Sequence, residues 1–166
     1  PPGAAPTRPL VVAAPAVLWG RGSPEALVAT NLSLSVVGSR GATNYGSWVT
    51  GELITELRRF NIAIVSGGAY GIDAAAHRAA LSVGLNTIAV LAGGVDRLYP
   101  SGNHQLFEDI IANGVVISEL PPGSSPTKWR FLQRNRLIAA IADATLVVEA
   151  GKRSGSISTA NHATEL

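Results

Sequence analysis

Within Lys128–Arg136 the chain places four cations (Lys128, Arg130, Arg134 and Arg136) among two aromatics, Trp129 and Phe131. A positive track follows a flexible line of phosphates and an aromatic face stacks an unpaired base, which is the chemistry single-stranded nucleic acid requires. No acidic residue occurs from Leu120 to Ala142, so this is a basic island in a chain whose net charge is only +2. The alternative is a solvated helix face, and either aromatic, Trp129 especially, could equally belong to a core. Arg134 and Arg136 are two residues apart and cannot share one helical stripe, so one facing a ligand leaves the other free to pair with an acid. The preceding stretch, Pro121–Thr127, holds three prolines and reads as a stiff loop.

Four glycine-rich segments are the second feature: Gly38–Thr43, Ser66–Asp73, Ala92–Asp96 and Glu149–Ser156. Glycines let a backbone approach a ligand closely, and free N–H groups at a helix start attract phosphate. They are also ordinary turn formers. No G-x-G-x-x-G dinucleotide fingerprint and no G-x-x-x-x-G-K-[ST] loop is present. Arg40 is the first cation in these loops, with Thr43 placed to cap the next helix; the bland reading of Arg40 is a surface arginine in a turn.

Catalytic signals are weaker. Asp73 and His77 are four apart on one helix face, a spacing that suits a cap or buried hydrogen bond better than a dyad. His104 and His162 are scattered, no H-E-x-x-H occurs, and there is no cysteine, so no metal site is assigned. Ser39 and Ser66 lie in no G-x-S-x-G elbow. Glu119 and Glu149 end predicted strands and are the acids nearest the glycine loops. The expectation is a binding domain, not an enzyme, with no cofactor.

These segments need a scaffold. Near-continuous apolar runs at Leu34–Val37, Ile62–Val65, Thr87–Leu91, Val115–Ser118 and Thr145–Val148 read as strands covered on both faces. Between them the spacing predicts helices from about Tyr45 to Phe60, with Trp48, Leu53, Ile54 and Leu57 near one side; over Asp73–Val83, stopped by Gly84; between a capping Asn103 and a terminating Gly114; over Phe131–Ile141; and from Gly155 onward. The alternation predicts an α/β fold, a Rossmann-like, doubly wound, mainly parallel sheet with helices on both faces. Ligands of such sheets bind beyond the carboxyl ends of the strands. Residues 1–30 hold six of the ten prolines and read as an extended lead-in, followed by one domain over 31–166. With no methionine and a final helix that has no stop signal, the chain reads as a fragment, C-terminally incomplete. No apolar run approaches the ~18 residues of a membrane span, and no signal peptide is visible.

In their order, these motifs resemble the DNA-processing protein A family (DprA, also called Smf). The likeness is carried by Ala16-Val17-Leu18-Trp19 with Arg21-Gly22, Val36–Arg40, Ser66–Ala69 with Gly71-Ile72-Asp73 and Ala76-His77. It continues through Ala89–Asp96 with Tyr99-Pro100, Ser118-Glu119 with Pro121-Pro122-Gly123, Phe131 before Arg134-Asn135-Arg136, Val147–Ala150 and Ser154-Gly155-Ser156. The resemblance implies a non-catalytic domain that binds single-stranded DNA, protects the incoming strand in natural transformation, loads the RecA recombinase, and works as a cytoplasmic homodimer with no membrane partner. It assigns DNA binding to Arg40, Gly67, Gly68, Lys128, Phe131, Arg134, Asn135, Arg136, Gly155 and Ser156. The family's lead-in helical domain and last strands have no counterpart in this sequence. The other reading is a nucleotide-hydrolysing or nucleotide-sensing enzyme similar to the lysine-decarboxylase-like phosphoribohydrolases, using Glu119 or Glu149 as acid–base group.

Overall fold

A computed structural model describes residues 14–28, 32–151 and 154–166. Six strands, β1 (Trp19–Gly22), β2 (Ser33–Val37), β3 (Ala63–Ser66), β4 (Thr87–Val90), β5 (Val115–Ser118) and β6 (Ala144–Val147), form one sheet in the order β1-β5-β4-β3-β2-β6. All neighbours are parallel except β1, which runs antiparallel along β5 with Trp19 opposite Ser118. Helices α1 (Asn44–Leu57), α2 (Ile72–Ser82), α3 (His104–Asn113), α4 (Lys128–Ile141) and α5 (Gly155–Glu165) fill the connections.

Side chains of a strand alternate between faces, so neighbouring apolar residues feed different cores. Val37, Val65, Val90 and Ile117 pack with Leu137 and Ile138 of α4. On the opposite face Val36 and Ile64 join Ile54 of α1 and Ala76 and Ala80 of α2, while Ala89 and Val116 join Leu106, Phe107 and Ile110 of α3. The expected doubly wound arrangement is therefore present, with β2 flanked by β3 on one side and β6 on the other.

Some local expectations change. Trp19–Gly22, read as lead-in, is an edge strand: four paired residues suffice to recruit it to β5. Residues 1–13 and 29–30 of that lead-in lie outside the described residues. On α1 the buried positions are Gly46, Thr50 and Ile54, while Trp48 is 59% and Leu53 40% exposed, so apolarity alone misplaced the inward stripe. Helix α4 starts three residues earlier than predicted because the Thr127 hydroxyl accepts the Arg130 N–H at 3.3 Å. Asn103 does not cap α3 with its side chain; its amide instead donates to the Gly68 and Ala69 carbonyls at 3.0 and 3.3 Å. Gly114 ends α3 with extended backbone (φ −164), and its value is space, since a Cβ there would meet the Thr87 carbonyl.

Candidate nucleic-acid interface

The sheet reverses its winding between β2 and β6, and in open α/β sheets the crevice at such a reversal is where ligands bind. A cleft of about 860 Å³ lies there. The β2–α1 loop supplies Gly38, Ser39, Arg40 and Gly41, and the start of α5 supplies Ser154, Gly155 and Ser156. Thr127, Lys128 and Phe131 come from the start of α4 and Arg134 and Asn135 from its middle, Ala69 from the β3–α2 turn, Asp73 from the first turn of α2, and Tyr99 from the β4–α3 connection.

Phe131 is the centre of the cleft's charge pattern. The Arg40 guanidinium lies 5.0 Å from its ring centroid and that of Arg134 5.7 Å away, and the Tyr99 ring stands 5.9 Å off at 56°. Cation–π attraction at such distances contributes ~0.5–1 kcal/mol at exposed sites and holds the rim together without a salt bridge. A base stacking on Phe131 would meet a guanidinium beside the ring or take its place. Lys128 is exposed in the first turn of α4, so its charge is available at low desolvation cost.

Arg134 is different from its neighbours. It is 5% exposed and one terminal guanidinium nitrogen donates to the carbonyls of Gly67 (3.0 Å) and Val90. Burial lowers its pKa to about 10, against the favourable pull of Asp73 and with a further push from Arg40; it stays cationic at neutral pH. A Cβ on Gly67 would overlap this guanidinium, so Gly67 is glycine to admit an arginine. Arg136 turns away and pairs with Glu119 at 2.5 Å, outside the cleft lining. The two arginines thus divide the roles that their spacing required.

Seven of the expected binding residues line one cleft: Arg40, Lys128, Phe131, Arg134, Asn135, Gly155 and Ser156. Gly67, Gly68 and Arg136 do not. Gly67 and Gly68 are buried, the first against Arg134 and the second against the Phe107 ring. Asn135 donates to the Gly155 carbonyl at 3.1 Å and fastens α4 to the start of α5. Trp129 is 66% exposed and belongs neither to a core nor to the cleft.

The glycine loops also separate into lining and support. The Ala92–Asp96 loop lies behind the cleft: the Gly94 N–H donates to the Ser124 carbonyl at 2.8 Å, and the Asp96 carboxylate accepts the Gly123 N–H at 2.8 and 2.9 Å. It braces the proline loop that presents Lys128, and Arg130 adds a 2.5 Å bond to the Ser125 carbonyl. Tyr99 was not singled out as a site residue in the sequence, although Tyr99-Pro100 is one of the motifs that carry the family resemblance.

Asp73 and His77 face inward without pairing. The Asp73 carboxylate accepts the Gly67 N–H at 3.2 Å, and His77 Nδ1 contacts the Thr87 hydroxyl at 2.7 Å. Burial lowers the His77 pKa to about 3, with Arg134 and Arg78 adding to the effect, so its imidazole is neutral. Glu149 accepts the Thr43 hydroxyl at 2.9 Å and its N–H at 3.1 Å, closing the β2–α1 loop. Neither Glu119 nor Glu149 is among the cleft-lining residues; the acid that lines the cleft is Asp73. Among the described residues no group of three or more His, Cys, Asp or Glu could hold a metal ion, and no helix is long and apolar enough to cross a membrane.

Comparison with known proteins agrees with this geometry. Residues 8–166 match the family model for DNA recombination-mediator protein A. The chain is 51% identical over 146 residues to the putative DNA processing protein DprA of Mycobacterium tuberculosis, covering 88% of this chain and 38% of that protein. It is 38% identical over 151 residues to DNA processing protein DprA of Bacillus subtilis, covering 91% and 50% respectively. The chain thus spans half or less of the length of both. Among solved structures, DprA of Streptococcus pneumoniae superposes with a TM-score of 0.86 at 40% identity, over 91% of this chain and 52% of that one. DNA processing protein A of Helicobacter pylori, studied for its single-stranded DNA binding mode, gives 0.85 at 34% identity, over 94% and 72%. The TM1055 structure and the molybdenum cofactor carrier protein of Chlamydomonas reinhardtii, at 17% and 16% identity, share the fold alone. With the motifs in order, the sheet in the expected winding and the family model matched along nearly its whole length, this chain belongs to the DNA recombination-mediator protein A (DprA/Smf) family.

Proposed function

We propose that this domain holds single-stranded DNA across the cleft at the β2/β6 reversal, with Arg40 and Lys128 on phosphates and Phe131 against an unpaired base. The observation that carries the reading is the meeting of Arg40 and Phe131, 91 positions apart in sequence, at 5.0 Å on one rim. The single-stranded DNA binding mode described for the Helicobacter pylori relative supports it. The wider role we infer is protection of incoming DNA and its transfer to RecA during natural transformation, by a cytoplasmic homodimer. Family membership is the support for that role, and the relatives that suggest it are longer than this chain.

The test is a salt titration of binding to oligo-dT and to duplex of equal length. Binding is expected to favour the unpaired strand. For single strands each lost phosphate contact flattens the slope of log K against log salt by ~0.7, so Arg40→Ala and Lys128→Ala should each remove about that much. If both variants bind oligo-dT with the wild-type constant and slope, the cleft is not the site.

A further inference from the structure

Phe131 is not the last aromatic at the rim. Tyr99 stands 5.9 Å from its ring and is 51% exposed. Further along the same loop, Gly102 lies against the hydroxyl end of Tyr70, so close that a Cβ there would meet it, and Tyr70 is 48% exposed. The two tyrosines belong to different connections, Tyr70 between β3 and α2 and Tyr99 between β4 and α3. Asn103 fastens these connections together. It is buried, and its amide donates to the carbonyls of Gly68 and Ala69, immediately before Tyr70, at 3.0 and 3.3 Å. Its side-chain oxygen accepts an N–H of the Arg78 guanidinium at 3.4 Å.

Gly102 also lines a second cavity, of about 300 Å³, with Arg78 and Leu81 of α2 and Gln105, Leu106 and Asp109 of α3. Arg78 is exposed and is the one cation among these lining residues. Asp109 accepts the Gln105 amide at 3.0 Å, and its carboxylate repels a phosphate from the α3 side, leaving the Arg78 side for it. Leading away from the main cleft, the order is Phe131, Tyr99, Tyr70 and then Arg78. Successive aromatic faces with a cation beside them are what a run of unpaired nucleotides needs, because every base has a face to stack and every linkage a charge.

We propose that the strand held at Phe131 continues out of the cleft over Tyr99 and Tyr70 and places a phosphate on Arg78, which makes the α2–α3 cavity a second subsite for nucleotides of the same strand. The identity of the ligand rests on the single-strand reading above. An exposed pair of tyrosines could instead seat a protein partner; the contact of Tyr99 with Phe131 joins the pair to the cleft and favours the strand.

The experiment measures salt-titrated binding of oligo-dT long enough to span both cavities. The proteins are wild type, Tyr70→Ala, Tyr70→Phe and Arg78→Ala, with Arg40→Ala beside them to report on the cleft. Tyr70→Ala is expected to weaken binding about 5- to 150-fold, the range for one stacked base, at an unchanged salt slope. Tyr70→Phe keeps the ring and should bind like wild type. Arg78→Ala should flatten the slope of log K against log salt by ~0.7. A measurement on the unmodified protein accompanies these: oligo-dT carrying 5-iodouracil is irradiated in the complex and the adducts are mapped by mass spectrometry. An adduct on Tyr70 is expected, and its absence would overturn the proposal whether or not a variant folds. Arg40→Ala weakened while Tyr70→Ala and Arg78→Ala match wild type would overturn the second subsite, leave the cleft in place and assign the tyrosines to a protein partner. If Arg40→Ala also matches wild type, the single-strand reading falls and this subsite with it.

Discussion

Arg134 and Arg136 have the same side chain and stand on the same helix two residues apart, yet replacing each by alanine should have very different consequences. Arg134→Ala removes the donor from two buried carbonyls, Gly67 and Val90, each worth about 1–3 kcal/mol when left unsatisfied. It also removes the charge that favours the ionised form of Asp73. The two carbonyls lose one shared donor nitrogen, so a total of about 3–5 kcal/mol is expected. For a domain of this size each kcal/mol moves the thermal midpoint by roughly 2–4 °C, which puts Arg134→Ala about 6–20 °C below wild type. Arg136→Ala loses one ion pair whose side chains are both 20% exposed, for about 1 kcal/mol, and it also removes a buried Nη1 that has no partner. Urea and thermal unfolding followed by circular dichroism give both numbers. Equal losses for the two variants, or an Arg134→Ala protein within 1 kcal/mol of wild type, would refute the assignment of Arg134 to the cleft floor.

Phe131→Ala should weaken oligo-dT binding by ~1–3 kcal/mol, about 5- to 150-fold, while leaving the salt slope unchanged, because stacking is lost and no phosphate contact is; a changed slope with unchanged affinity at low salt would contradict it. His77 predicts an acid-sensitive fold. Its folded pKa of about 3 lies below its ordinary value of 6.5, so between these values the unfolded chain binds the extra proton and stability falls as pH drops, by up to about 1.4 kcal/mol per pH unit. Asp73, whose carboxyl burial pushes up despite Arg134, works in the opposite direction, so the His77 share is read as the difference between wild type and His77→Gln across pH 4–6.5. A variant whose urea midpoint varies with pH as steeply as wild type would exclude His77 as the cause.

The amino-acid sequence by itself determined the class of fold, because continuous apolar runs such as Val115–Ser118 can be satisfied only by cover on both faces, and glycine or proline punctuation leaves little freedom in where they stop. It also singled out the cations Arg40 and Lys128 and the aromatic Phe131 by type and spacing before any coordinates, and the fold brings all three to one cleft. What it could not decide was the use of each group once the chain closed on itself. Trp48 and Ile54 look equally apolar in one helix, and only packing against α2 decides that Ile54 is buried and Trp48 exposed. Gly67 and Gly68 read as a phosphate cradle, yet their neighbours in space are Arg134 and Phe107, drawn from 67 and 39 positions away. Local spacing fixes direction along a helix or strand, whereas burial, partner and charge balance depend on groups brought together by sheet winding. That is why Arg134 and Arg136, alike in sequence, became a buried cleft cation and a partly buried ion pair only in three dimensions.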